Sequence, residues 1–227
     1  MSNWLRALRS DRGPRIVLAV FCLAVLVVAA LYRGHSVESM DVRTYAQMIR
    51  GVATHGLPYW DNGPIDRFPE LVVQWGIPVR GKIWGIYGPL YPYLAAPVFR
   101  LGGLTAVHAF TLALVAPLAV VTFLLATRVV KNEWYAAAAG VLVVLSTPIT
   151  AKALETTPFP LTAILSTLGM YLTAKVVAAP RARPAEAAAS GVVWAAAAAA
   201  HALCFPMALA ALAVTGAAPP VADGGAR

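Results

Sequence analysis

Five of the ten acidic residues, Glu38, Asp41, Asp61, Asp66 and Glu70, fall in one polar stretch between Arg33 and about Tyr87. A carboxylate there can act as a general base, provided something holds it in place and keeps it ionised. Asp41 has the best local reason to be held. It opens a helical pattern in which Tyr45, Met48, Ile49 and Val52 follow the i, i+3, i+4, i+7 spacing. Free backbone N–H groups and the dipole at a helix start favour a carboxylate, so Asp41 reads as an N-cap and, compatibly, as a base of lowered basicity. Arg43, Gln47 and Arg50 occupy other faces of that helix, which is expected to lie along a membrane surface and to stop at His55-Gly56 ahead of Pro58. Arg43, Arg50 and Lys82 are the cations that could offset a phosphate, or simply meet lipid head groups.

The second chemical feature is aromatic. Leu71–Tyr87 reads as two short strands around Arg80-Gly81, with Pro78 confining the first to a sheet edge. Trp84, Tyr87 and Tyr91 then lead the chain back through Gly88-Pro89. Rings at such a boundary serve as interface anchors, and the same rings can form a stacking wall for a sugar or a lipid head group. His35, His55, His108 and His201 show no ligand spacing, and no metal site is expected. His108 and His201 read as packed neutral side chains. Lys152 and Glu155 are placed to pair with each other. Nucleotide-hydrolase, zinc-protease and serine-hydrolase motifs are missing.

The elements that must carry these residues are apolar helices. Of 227 residues 59% are hydrophobic and only 12% charged, and the mean hydropathy is +0.70. A soluble core cannot hide that excess, so a bilayer must act as solvent for much of the chain. The net charge of +8 sits at the ends of apolar runs, the pattern of membrane orientation rather than of nucleic-acid binding. Cys22 and Cys204 lie inside apolar stretches as small hydrophobes and imply no disulfide framework. The preference for Arg over Lys, together with heavy Ala use, is that of a GC-rich bacterial coding sequence.

The expected architecture is an all-α polytopic membrane protein with about five spans: Ile16–Tyr32, Leu104–Val129, Trp134–Ile149, Leu161–Val177 and Ala187–Val214. Leu90–Leu101, closed by Arg100 and Gly102-Gly103, is too short to cross and reads as a re-entrant or interfacial helix. Residues 1–15 form a basic cytoplasmic tail, 33–87 an extracytoplasmic loop with a surface helix and a β-hairpin, and 88–215 the helical bundle. Thr147–Pro160 is an outer-face turn, and 216–227 has the composition of a disordered tail. Arg6, Arg9, Arg12 and Arg15 hold the N-terminus inside. The short basic loops Arg128–Glu133 and Lys175–Glu186 agree, provided Leu90–Leu101 does not cross. The Val28-Ala29-Ala30 segment would suit a leader cleavage site, but its apolar stretch is longer than a leader needs.

The loop resembles the first extracytoplasmic loop of C-type integral-membrane glycosyltransferases, in the branch of protein O-mannosyltransferases and aminoarabinose transferases. The likeness rests on Met40-Asp41-Val42-Arg43-Thr44-Tyr45-Ala46-Gln47-Met48, His55-Gly56-Leu57-Pro58-Tyr59 and Gly81-Lys82-Ile83-Trp84-Gly85-Ile86-Tyr87-Gly88-Pro89-Leu90-Tyr91-Pro92. Ala95-Ala96-Pro97 and Leu145-Ser146-Thr147-Pro148 add to it. The resemblance implies transfer of a sugar from a polyprenyl-phosphate carrier to an acceptor at the outer face of a bacterial cytoplasmic membrane. It implies Asp41 as the catalytic carboxylate and leaves any divalent metal unassigned. Arg43, Tyr45, Arg50, Lys82, Trp84, Tyr87 and Tyr91 are the residues expected to bind substrate. Where family members often carry an Asp-Glu pair, this chain has Asp41-Val42. Family enzymes also carry about twice as many spans, so the resemblance implies either a truncated or frame-shifted product or a second membrane chain that supplies the remainder. The alternative is a non-enzymatic membrane subunit whose loop docks a partner.

Overall fold

A computed structural model describes residues 12–32, 40–61, 76–179 and 184–217. His35, Glu38, Asp66, Glu70, the 71–75 part of the expected first strand, Arg6, Arg9, Arg181, Arg183 and most of the C-terminal tail lie outside the described residues.

Helix α1 (Gly13–Leu31) starts with Pro14 in its first turn, where a missing N–H costs no hydrogen bond. Helix α2 (Met40–His55) follows, then strand β1 (Tyr59–Asp61). Strands β2 (Gly76–Val79) and β3 (Lys82–Gly85) form a hairpin whose two turn residues, Arg80 and Gly81, both have positive φ. That is the turn whose twist matches paired strands. The sheet order is β1-β3-β2, so β2 with its Pro78 is an edge, and β1, which the sequence pattern did not reveal, is the other.

Helix α3 (Leu90–Ala113) is broken at Gly102 and Gly103, whose backbone angles are not helical and of which Gly103 has φ +64°. A straight helix would hold Tyr91 and Thr111 about 30 Å apart. Their hydroxyls lie 2.5 Å apart. The chain therefore folds back at the glycine pair, and Leu90–Leu101 lies along the segment that follows it. The rest of α3 continues through Leu114 into α4 (Val115–Val129), with a joint where Pro117 withholds an N–H.

Helix α5 (Glu133–Leu145) is capped by Asn132, which accepts the Trp134 N–H at 2.9 Å. Its 13 residues reach about 20 Å, short of a hydrocarbon core of about 30 Å. The expected Trp134–Ile149 span is thus curtailed at Ser146-Thr147-Pro148. The Thr147–Pro160 turn contains a short helix, α6 (Ile149–Leu154), before α7 (Phe159–Val177). The expected Ala187–Val214 span is two helices, α8 (Pro184–Ala200) and α9 (Phe205–Ala217), parted by a 3-10 turn at Ala202–Cys204. His201 makes the break: its backbone is extended and its Nδ1 accepts the Leu203 N–H. Trp194 and Ala197 then pack against Cys204, Ala208 and Ala211, so α9 folds back along α8.

Among the described residues three stretches are long and apolar enough to cross a membrane: Gly13–Leu31, Leu90–Val129 (which contains the glycine break) and Phe159–Val177. Broad apolar faces stay uncovered, as at Val20, Leu23 and Val28 of α1 and Phe205, Leu209 and Leu212 of α9. Where helices do meet, small residues let the backbones close. A Cβ on Gly140 would come within 2.6 Å of the Ala119 carbonyl oxygen, and one on Gly169 within 2.7 Å of the Trp194 ring. Polar pairs add to the α7–α8 seam: the Trp194 indole donates to Thr173 at 3.1 Å, and Thr173 meets Ser190 at 3.0 Å.

Three of the charged contacts lie at one end of this bundle. Arg15 at the start of α1 forks onto Glu133 at the start of α5, with distances of 2.6 and 3.1 Å. Arg128, ending α4, lies 5.2 Å from the ring centre of Tyr171, and Lys175 of α7 pairs with Glu186 of α8 at 2.7 Å. The opposite end carries α2 and the sheet. There Tyr45, Met48 and Ile49 of α2 share a core with Tyr91, Ala95 and Val107 of α3, Leu161 of α7 and Ala200 of α8.

Candidate functional site

At about 100° per residue, Asp41, Tyr45, Met48 and Val52 fall within one face of α2. Tyr45, Met48, Ile49 and Val52 are all buried. Two contacts bind the far end of α2 to the Leu90–Leu101 arm. Arg100 Nε donates to the Ala53 carbonyl at 2.8 Å, and the Tyr93 hydroxyl donates to the Gly56 carbonyl at 3.1 Å. Both satisfy carbonyls at the end of the helix, and the guanidinium also suits the negative end of its dipole. Gly56 itself takes φ +83° to stop the helix.

With α2 fixed in this way, Asp41 sits half-buried in its first turn, and the Tyr87 hydroxyl donates to its Oδ1 at 2.5 Å. That short distance is typical of a hydroxyl meeting an ionised carboxylate. Tyr45 stacks on Tyr87 with ring centres 4.8 Å apart and planes 21° apart, and its ring meets Tyr91 edge to face at 5.8 Å. Tyr91 is fully buried and bonded to Thr111, whose own hydroxyl also donates to the Val107 carbonyl at 2.8 Å. Burial, then the bond to Asp41, pushes the Tyr87 phenol above its ordinary value; burial, then Tyr87 and Asp41 nearby, does the same for Tyr45. The Tyr45 hydroxyl is buried with no hydrogen-bond partner among the described residues.

The expected site residues therefore divide into two groups. Asp41, Tyr45, Tyr87 and Tyr91 come together. Arg43 and Arg50 do not join them: they lie roughly half a turn around α2 from Asp41, on its exposed face. Lys82 places its Nζ 4.0 Å from the centre of the Tyr59 ring, a cation–π contact. His55 stacks on Tyr59 at 3.9 Å and Trp84 approaches it at 5.2 Å. With Lys82 and His55 against it, the Tyr59 ring offers little open face for stacking a ligand.

Two members were missed from sequence. Thr111, twenty positions beyond Tyr91 and mid-helix, carried no local signal. Tyr59 looked like one more aromatic until β1 paired it with Trp84. Lys152 and Glu155 do pair, at 2.6 Å, and stay apart from the Asp41 group. Among the described residues no group of three or more His, Cys, Asp or Glu side chains could hold a metal ion. The cluster offers one immobilised carboxylate, with Oδ1 engaged and Oδ2 as its other oxygen, backed by stacked phenols. Comparison with known protein families, curated proteins and solved structures finds no match to this chain.

Proposed function

We propose that this chain forms the N-terminal part of a membrane glycosyltransferase, moving a sugar from a polyprenyl-phosphate carrier to an acceptor hydroxyl at the outer membrane face. Asp41 Oδ2 takes the proton of the acceptor hydroxyl as its oxygen bonds to the anomeric carbon. The bond from that carbon to the phosphate oxygen breaks, and the polyprenyl phosphate leaves with the electron pair. The observation that carries this reading is the 2.5 Å bond from Tyr87 to Asp41 Oδ1, which holds the carboxylate in one orientation and engages only that one of its two oxygens. Tyr45 and Tyr91 keep Tyr87 in place from behind.

The two ends of the bundle favour an outward-facing site. Arg15, Arg128 and Lys175 gather at the end opposite α2, and basic short loops stay cytoplasmic. Because Arg43 and Arg50 face away from Asp41, they serve a phosphate only if the lipid approaches around the exposed side of α2. The test is transfer of radiolabelled sugar from polyprenyl-phosphate donors in membranes. Asp41→Asn is expected to lower the rate about 10²- to 10⁴-fold, the usual weight of a general base. Equal transfer by both chains removes Asp41 from the mechanism, and transfer by neither favours a subunit that docks a partner.

A further inference from the structure

The face of α2 turned away from Asp41 borders a cavity of about 450 Å³, lined among others by Gln47, Arg50, Thr54, His55, Trp60 and Asp61. That volume falls in the range of small-ligand sites, roughly 300–1,000 Å³. Two features preorganise it. At Gly51 the helix backbone lies against the Tyr59 carbonyl so closely that a Cβ would collide. On the strand side, the stack of Lys82, Tyr59 and His55 holds β1 against the end of the helix.

The lining chemistry selects the ligand. Arg50 and the Trp60 indole only donate, Asp61 only accepts, and the Gln47 amide does both. Thr54 donates its proton to the Arg50 carbonyl at 2.8 Å, so toward the cavity it offers lone pairs. The guanidinium and the carboxylate cancel in formal charge, so the lining does not favour an anion. A set of mixed donors and acceptors matches adjacent hydroxyls, each of which donates and accepts. We propose that this cavity binds a neutral pyranose ring, at a site separated from Asp41 by the thickness of α2. The assignment does not depend on what Asp41 does.

Saturation-transfer NMR on the full chain in lipid nanodiscs tests it, with methyl α-D-mannopyranoside, methyl β-D-glucopyranoside and inorganic phosphate as probes. The expected result is saturable transfer to the ring protons of at least one glycoside, unaffected by salt or phosphate. Asp61→Asn and Gln47→Ala each weaken it, the former roughly tenfold, as the loss of one charge-assisted hydrogen bond would. Both side chains are exposed, so the variants keep the fold. Glycoside binding weakened by Asp61→Asn and by Gln47→Ala belongs to this cavity whatever the sugar-transfer assay reads, because neither residue takes part in the proposed transfer chemistry. The proposal is overturned if neither glycoside shows transfer, if phosphate displaces it in a salt-dependent way, or if both cavity variants bind as the parent does.

Discussion

Tyr87 is the side chain on which the geometry of Asp41 turns. Its phenol reaches back 46 positions to meet the carboxylate, and Tyr45 lies flat against its ring. Removing the hydroxyl in Tyr87→Phe deletes one charge-assisted bond in a half-buried setting, an expected loss of about 1–2 kcal/mol in denaturant unfolding. If Asp41 is the base, transfer falls as well, because the carboxylate is free to rotate. The pH behaviour follows from the same contact. The folded phenol titrates above its ordinary value, so its contribution to stability is complete below roughly pH 10 and is lost only as pH rises through the folded value. Alkaline titration followed by tyrosinate absorbance is expected to show late-titrating phenols from Tyr87 and Tyr45. In Tyr87→Phe one late step disappears; a Tyr87 that ionises with the exposed tyrosines contradicts the contact.

At the scale of elements, α2 is a surface helix held by what its neighbour offers its ends and its apolar face. Val52 and Ala53 meet Ala96 and Phe99 of the folded-back arm, and Arg100 closes on the Ala53 carbonyl. Arg100→Met keeps the apolar stem and removes the donor, so the expected loss is about 1 kcal/mol. Hydrogen exchange checks where that loss falls: amides of the last turn of α2 should exchange faster, while those of α4 and α5 should not change. Uniform acceleration would mean that Arg100 supports the whole bundle rather than α2. Much of this element was legible beforehand, since Tyr45, Met48, Ile49 and Val52 share a face at helical spacing and Arg43, Gln47 and Arg50 do not. The break at His201 was not marked by periodicity, although Pro206 is a breaker within the apolar run. An unbroken alanine run followed by apolar residues has no period that marks where a helix turns back. The break came from a side-chain acceptor on the Leu203 N–H, with Pro206 just beyond.

On the scale of the whole molecule, the Arg15–Glu133 and Lys175–Glu186 pairs and the α2 layer occupy opposite ends, with apolar helix surface between them. That separation makes orientation a measurable claim. In a chain with Cys22 and Cys204 replaced by Ala, Gln47→Cys puts a thiol on the exposed face of α2. A membrane-impermeant maleimide is expected to label it in intact cells. Labelling only after permeabilisation would place α2 on the inner side and end the outward-facing reading.

Composition and hydropathy by themselves pointed to apolar helices suited to a bilayer, and among the described residues three stretches are long and apolar enough to cross one. Helical spacing likewise determined which face of α2 is buried, since that depends only on residues a few positions apart. That Arg43 and Arg50 stand away from Asp41 follows from the same spacing; which contact the carboxylate makes, only the tertiary structure decided. Asp41, the Tyr87–Tyr91 stretch and Thr111 come from segments far apart in the chain, brought together by the reversal at Gly102-Gly103 and the docking of α2 on that arm. Local spacing carries no information about such meetings, because they arise from packing between elements and not from the period within any one of them.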